Sequence, residues 1–359
     1  MTKIGVWGTG NMGRAALRSI QGNAHFELGA IVVSNPDKVG LTCVDLCGIG
    51  APGGPAAVLP DDFDPTTVDA VAYMASGDIR PDEAVADIAS LLRLGVHVVT
   101  PALYGMYHPA SADPATRDIL NEACQVGQSS LFVSGIDPGW GNDILPAILS
   151  GLCSEIELIR CQEIFDYSTY DQPDSVRFLV GMGQPMDEMP PMVTPGIPTM
   201  VWGPSVRLIG DALGVEFDDI VETLERKPLD QTVTNQLGVF EQGTQGALRF
   251  EIQGHLDGRP VVIVEHVTRI DPECAPEWPQ PTSGAGTHRV IVEGSPRLEV
   301  SVEAESEGGN RAAGGNETAA NRLVNAIPWL QSATPGIHDA LAVPLSFGQG
   351  KLRDLGAPA

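Results

Sequence analysis

The stretch "KIGVWGTGNMGRAALRSI", Lys3 to Ile20, decides the fold. Its first residues read as a short buried strand, and from Asn11 onward the apolar residues fall at helical spacing. Between the two lie Gly8, Gly10 and Gly13 in the G-x-G-x-x-G pattern. That pattern alone is weak, but a strand before it and a helix after it supply the context it requires. Gly8 would permit the tight turn, Gly10 the close approach of a pyrophosphate, and Gly13 close packing of helix on strand. The free N–H groups and partial positive charge of the helix start would hold phosphate, with Thr9, Asn11, Met12 and Arg14 completing the loop. The competing reading is an ordinary glycine-rich turn.

Outward from this stretch, residues 1–150 alternate short apolar runs with helical segments, which predicts a parallel sheet with crossover helices. "FELGAIVVS", "VDAVAYMAS", "VHVVT" and "SLFVSGI" read as further strands, and "RPDEAVADIASLLRLG" and "DPATRDILNEACQVG" as helices. From about residue 153 the pattern changes to strand-like runs joined by Gly-containing turns, predicting a mostly antiparallel sheet. Residues 181–204 read as irregular, "SVRLIGDALGVEFDDIVETLERK" as one or two helices, and 306–316 as a flexible connector. "ETAANRLVNAIPWLQSA" reads as a late helix, kinked or ended near Pro328. The expected class is an α/β Rossmann domain plus an α+β domain. The first spans 1–150 and the second 151–316.

Cofactor choice turns on the end of the second strand. A fold that binds NAD usually places Asp or Glu there for the ribose 2′-hydroxyl. Here Ser34 and Asn35 stand at that place in "IVVSNPDKVG", with Arg14 and Lys38 near enough to offer charge to a 2′-phosphate. NADP(H) is therefore expected, with Asp37 the residue that would argue otherwise. Ligands of such sheets gather beyond the carboxyl ends of the strands. Ala75, Ser76 and Gly77 of "MASGD", and Thr100 and Pro101 of "TPALYGMYHPAS", are accordingly expected to border the cofactor.

The composition narrows the function classes. A net charge of −25 over 359 residues argues against a general nucleic-acid or anionic-membrane binder. Six scattered cysteines without a Cys-x-x-Cys pair read as buried free thiols, which suits a reducing cytoplasm. No leader peptide is expected where Met1-Thr2-Lys3 runs straight into a strand, no apolar run approaches a membrane span, and no metal cluster is evident.

Reduction of C=O or C=N needs a proton donor beside the receiving heteroatom. Only five tyrosines and seven histidines occur, yet one loop holds Tyr104, Tyr107 and His108. For Tyr104 and His108 catalysis and packing remain open alternatives; Tyr107 reads as packing. Asp137 reads as a helix cap for the segment starting near Asn142, with an acid role as the lesser alternative. Glu163, Glu265 and His266 are low-weight candidates, since a strand residue has about an even chance of facing the wrong way. Trp140 and Met182 read as core or pocket wall.

The Gly-rich stretch with "IVVSNPDKVG" resembles the dihydrodipicolinate reductase-like superfamily, and more closely its 2,4-diaminopentanoate dehydrogenases and native amine dehydrogenases. "GIDPGWGNDILP" (135–146) is similar to that group's G-x-N-P-G-F-x-x-D-x-L-P segment, with Asp137 for Asn and Trp140 for Phe. "NRLVNAIPWLQSATPGI" (321–337) is similar to its Val-Asn-Ala-Ile-Pro helix and Pro-Gly turn. The resemblance implies that 317–359 complete the first domain and that 151–316 form the substrate and dimerisation domain of a homodimer. It also implies hydride transfer between NADPH and a small imine, amine or carbonyl compound. Two departures stand out. The His-His pair with downstream Lys of true dihydrodipicolinate reductases is absent, and Leu103 or Tyr104 falls where amine dehydrogenases of this group keep a catalytic Glu. A scaffold or redox sensor that keeps the NADP site without turnover is the alternative.

Overall fold

The computed structural model describes residues 1–50, 53–77 and 80–351, and the chain divides into two compact units. The first comprises residues 1–135 together with the C-terminal segment from Asn316. It opens with β1 (Thr2–Trp7), α1 (Asn11–Gln21), β2 (Phe26–Val32), the one-turn α2 (Cys43–Cys47) and β3 (Ala57–Val58). There follow β4 (Ala70–Tyr73), α3 (Pro81–Arg93), β5 (His97–Thr100), α4 (Pro114–Gly127) and β6 (Ser130–Val133). Side chains alternate across these strands as the pleat demands. Ile4, Val6, Ala70 and Ala72 pack on the α1 side, while Trp7, Val71, Tyr73 and Val98 pack on the α3 and α4 side. Both faces are thus buried, which is why the strands read as near-continuous apolar runs.

The second unit, Ile136–Gly315, is built on a six-stranded sheet. Its elements are α5 (Ile144–Ser150), β7 (Glu155–Asp166), α6 (Ile197–Leu213), β8 (Asp219–Pro228), the small hairpin β9 (Val233–Asn235) and β10 (Gly238–Phe240), β11 (Gln245–Leu256), β12 (Arg259–Arg269), β13 (Gly286–Ser295) and β14 (Leu298–Val302). The strand order is β14-β13-β7-β12-β11-β8; every pair is antiparallel except β7 with β12. Helix α7 (Arg311–Leu330) and β15 (Gly336–His338) close the chain, and β15 adds to β6. The first sheet is then seven parallel strands in the order β15-β6-β5-β4-β1-β2-β3. Ala320, Leu323, Val324 and Ile327 of α7 join the α1-side core.

Several local expectations are corrected. The helical reading of 205–227 holds only to Leu213, where Gly214 in the left-handed region (φ 71°) stops α6. Residues 219–228 are instead β8, an edge strand laddered along the whole of β11, so tertiary pairing overrides the helical bias of its Glu, Leu and Lys residues. The irregular stretch gives way to α6 at Ile197, and the supposed connector at 306–316 contains the start of α7 at Arg311. Pro328 lies inside α7, which runs on to Leu330. Helix α5 belongs to the second unit. Among the described residues no helix is long and apolar enough to cross a membrane.

The Gly loop shows why glycine is required. Gly8 sits at φ 93°, and a Cβ at Gly13 would lie 1.9 Å from the Gly8 carbonyl oxygen. Gly13→Ala is expected to push the loop off the start of α1 and to weaken dinucleotide binding at least tenfold in a fluorescence titration with NADPH.

Candidate functional site

The carboxyl ends of β1, β2, β4 and β5 lie side by side, with Trp7 in register with Val32 and Tyr73. The expected cofactor residues therefore share one edge of the first unit. Gly10 caps α1 with no side chain over the helix start, and a Cβ there would meet nothing within 4 Å. This is an open cradle of backbone N–H groups, and it fits a pyrophosphate. Thr9 is buried; Lys38 reaches over the loop, with Nζ 3.2 Å from Thr9 Oγ1 and 3.4 Å from its carbonyl oxygen. Arg14 donates to Asn11 Oδ1 at 2.6 Å, and Met12 packs against the α1-side core. Ser34 and Asn35 are exposed just past β2, and Asn35 Oδ1 accepts from the Asp37 amide at 2.9 Å. That bond turns the chain into a 3-10 turn (Pro36–Lys38) that carries Lys38 back towards the loop.

At the neighbouring strand ends, the Ala75 amide nitrogen lies 2.7 Å from where a Gly8 Cβ would stand, so Ala75 backs the loop directly. Ser76 is exposed, and Gly77 is pressed against Ala102, whose carbonyl oxygen would be 2.1 Å from a Cβ. Thr100 is fully buried, its Oγ1 accepting from the Ala102 amide at 3.0 Å. Pro101 accepts from the Tyr107 hydroxyl at 3.3 Å, and Tyr107 is buried in the core beside α3 and α4. Tyr104 stacks on Tyr107 with ring centroids 6.3 Å apart but stays partly exposed. His108 is buried, its Nδ1 2.7 Å from Ser111 Oγ. Of the loop's polar groups, Tyr104 is the more accessible to a ligand.

The second unit holds a different constellation. One face of its sheet, covered by α5 and α6, is largely apolar at its centre and is crossed there by a transverse row of acid and imidazole groups. Glu163 on β7 is in register with His266 on β12 and with His288 on β13, and His266 with Phe250 on β11. Residues directly opposite in neighbouring strands point to the same side, so these side chains meet. His288 Nε2 lies 3.2 Å from Glu163 Oε2, and His266 Nδ1 3.6 Å from Glu163 Oε1. Asp137 reaches the same place from the loop before α5 and accepts from Trp202 Nε1 of α6. The capping role expected of Asp137 belongs to Asp143, which accepts from the Ile144 amide at the start of α5. Trp202, Phe250 and Phe165 wall the row, with Trp202 and Phe250 ring centroids 4.7 Å apart and the Phe165 ring 5.1 Å from that of His288.

Burial sets the charges. Loss of water, then the nearby Glu163, hold the Asp137 carboxyl well above its usual range; burial likewise raises Glu163, which His266 and Tyr167 only partly relieve. Burial lowers His266 and takes His288 down to about 4, so both imidazoles are neutral near pH 7. Carboxylate oxygens of Asp137 and Glu163 and a ring nitrogen of His266 lie within 4.8 Å of one another. Two acids so close do not both ionise readily, and the pair retains a proton unless a cation joins it. The arrangement can therefore accept a cationic nitrogen, or hold a carboxylic acid beside a carboxylate.

Strand parity sorts the remaining candidates. Glu265 points to the opposite face, where it binds Arg160 and Arg249 at 2.6 and 2.7 Å. Met182 is wholly buried, whereas Trp140 is partly exposed and 6.4 Å from the His288 ring. His288, Trp202 and Tyr167 were missed by sequence reasoning. An inward His on "GTHRVIVEG" carried a signal only once the β7–β13 register was known.

A profile for the 2,4-diaminopentanoate dehydrogenase C-terminal domain matches residues 142–353. An amine dehydrogenase of Streptomyces virginiae is 55% identical over 352 residues, covering 97% of both chains. The chain belongs to the amine dehydrogenase family that carries this domain. The 2,4-diaminopentanoate dehydrogenase of Acetoanaerobium sticklandii is 25% identical over 254 residues, covering 70% of this chain and 67% of its own. An amine dehydrogenase structure from Mycobacterium smegmatis superposes with a TM-score of 0.73 over 97% of this chain and 98% of that one, at 19% identity, so the fold is shared. The chain is thus an NAD(P)-dependent oxidoreductase rather than an inert scaffold, as its closeness to the Streptomyces enzyme shows.

Asp137→Asn keeps an acceptor for Trp202 while removing the buried acid. Because the folded pKa of Asp137 is raised, wild-type stability falls as pH climbs from the unfolded value near 3.8 through the folded one. The variant escapes that loss. Its melting temperature should match wild type near pH 4 and exceed it by a widening margin towards pH 8, read by thermal unfolding across pH.

Proposed function

We propose that the protein is an NADP-preferring amine dehydrogenase in which the second-unit cluster receives the amine. The observation that carries this reading is the pairing of buried Glu163 with partly buried Asp137, two acids of raised pKa that a cationic nitrogen would complete. Among the described residues of that unit, Arg160 and Arg249 are engaged with Glu251 and Glu265, and the buried Arg269 with the carbonyls of Cys274, Ala275 and Pro279. With two acids and aromatic walls, the cluster suits an amine or ketone that carries no carboxylate.

The nicotinamide ring supplies the hydride acceptor or donor when the cofactor is bound; the protein must manage protons. On the oxidative side Glu163 takes a proton from the substrate ammonium, leaving the free amine that hydride loss requires. In the reverse direction Glu163 returns that proton to the amine formed when hydride adds to the iminium carbon. Gly8, Thr9, Gly10, Asn11 and Gly13 hold the pyrophosphate, with Lys38, Arg14, Ser34 and Asn35 about the 2′-phosphate. Ala75, Ser76, Gly77, Thr100 and Pro101 border the cofactor on the adjoining strand ends. A second reading keeps proton transfer on the first-unit loop; the partial exposure of Tyr104 favours it over His108. Homodimerisation and a cytoplasmic location are part of the same reading, supported by the family likeness and by six free thiols that suit a reducing compartment.

The deciding experiment offers purified protein a panel of small ketones with ammonia and NADPH, and the matching amines with NADP+. Glu163→Gln should lower kcat at least a hundredfold, while Tyr104→Phe and His108→Ala should stay within about tenfold. The opposite ranking would move the proton chemistry to the loop. Lys38→Ala should raise KM for NADPH roughly tenfold with little change for NADH, the scale of one charge-assisted contact. Equal use of both cofactors by the wild-type protein would defeat the NADP assignment.

A further inference from the structure

His266 is 3% exposed, yet neither of its ring nitrogens has a hydrogen-bond partner in the protein. The ring is fixed in spite of this. It stacks on Phe250 with centroids 5.0 Å apart and planes 7° from parallel, and Trp202 closes the other approach at 5.6 Å. Its Nδ1 faces Glu163 Oε1 at 3.6 Å, too far for a strong bond but close enough to orient the tautomer. His288 differs, because its Nε2 already meets Glu163 Oε2 at 3.2 Å. A buried polar group held rigid without a partner marks a place where a ligand atom belongs. Burial also keeps the imidazole neutral, so one nitrogen retains the lone pair needed to accept a proton.

We propose that His266, oriented by Glu163, holds and deprotonates the water that converts the imine into ketone and ammonia. This rests on the reading of the cluster as the amine site and assigns a second, separate step there. The water oxygen bonds to the iminium carbon as one of its protons passes to the free ring nitrogen of His266. The C=N electron pair returns to nitrogen, giving a neutral carbinolamine. His266 then hands its proton to that nitrogen, the C–N bond breaks, and the C=O forms as the hydroxyl proton leaves. Both water protons end on nitrogen, which departs as ammonium, and the imidazole is neutral again. Glu163 serves the amine proton and His266 the water proton, so removal of each should arrest a different stage.

Rapid mixing of amine and NADP+ with His266→Gln and His266→Asn should give a burst of about one NADPH per active site. A steady rate roughly a hundredfold below wild type should follow. Glu163→Gln should give no burst. A second measurement needs no hydride transfer. With NADP+ bound and ammonia present, wild-type protein should speed loss of label from an 18O-ketone, and the His266 variants should not. Burst-free turnover of the variants near the wild-type rate would overturn the proposal. So would the absence of ammonia-dependent exchange in the wild type, which does not depend on any variant folding. One tightly bound divalent metal per chain, lost on His266→Gln, would also overturn it by giving the orphan nitrogen another partner. If the wild type oxidises no amine and aminates no ketone in the panel, the underlying reading of the site falls instead.

Discussion

The chemistry of the second unit depends on register. Glu163 lies between His266 and His288 because β7 pairs in parallel with β12 and antiparallel with β13, each ladder bringing the same residue into line. A shift of one residue in either ladder would turn a histidine to the outer face and put its neighbour, Glu265 or Arg289, on the face beneath the helices. The outer face opposes such a slip. Glu265 is clamped there by Arg160 and Arg249, and Arg160 also binds Glu251. The ion network on one side and the acid–histidine row on the other are two consequences of a single alignment.

That alignment is costly on the inner side. Each unpartnered buried polar atom costs about 1–3 kcal/mol, and the row adds two carboxyls whose ionised forms burial disfavours. The surrounding apolar face offsets this: Ile159, Cys161, Val264, Ile252 and Val290 are all essentially inaccessible. A polar row kept at such expense among buried apolar side chains is the usual mark of a working site.

The first unit was largely legible from the sequence, because a local rule governs it. Three glycines stand at fixed offsets, Gly8 and Gly13 with no room for a Cβ, and the turn is made within a dozen residues. The exchange of Asp or Glu for Ser34 and Asn35 was visible for the same reason. The second unit was legible in class but not in detail. Asp137 read as a cap since Asn142 lies five residues on, yet only the fold shows Trp202 reaching back to it. Glu163 and His266 were named with even odds of facing inward, and Glu265 with the same odds. Parity relative to a covering helix decides such cases, and no single strand contains it. Strand β8 failed differently, its charged residues satisfying a helix pattern until β11 claimed them as an edge.

Gly10 separates two properties that active-site residues usually combine. Gly8 and Gly13 are required by the protein's own atoms, but nothing of the protein lies within 4 Å of a Cβ at Gly10. The folded chain is indifferent to a methyl group there; only a dinucleotide would feel it. An alanine at Gly10 would yield a protein of ordinary stability whose remaining surfaces and thiols could be studied with the cofactor cradle closed.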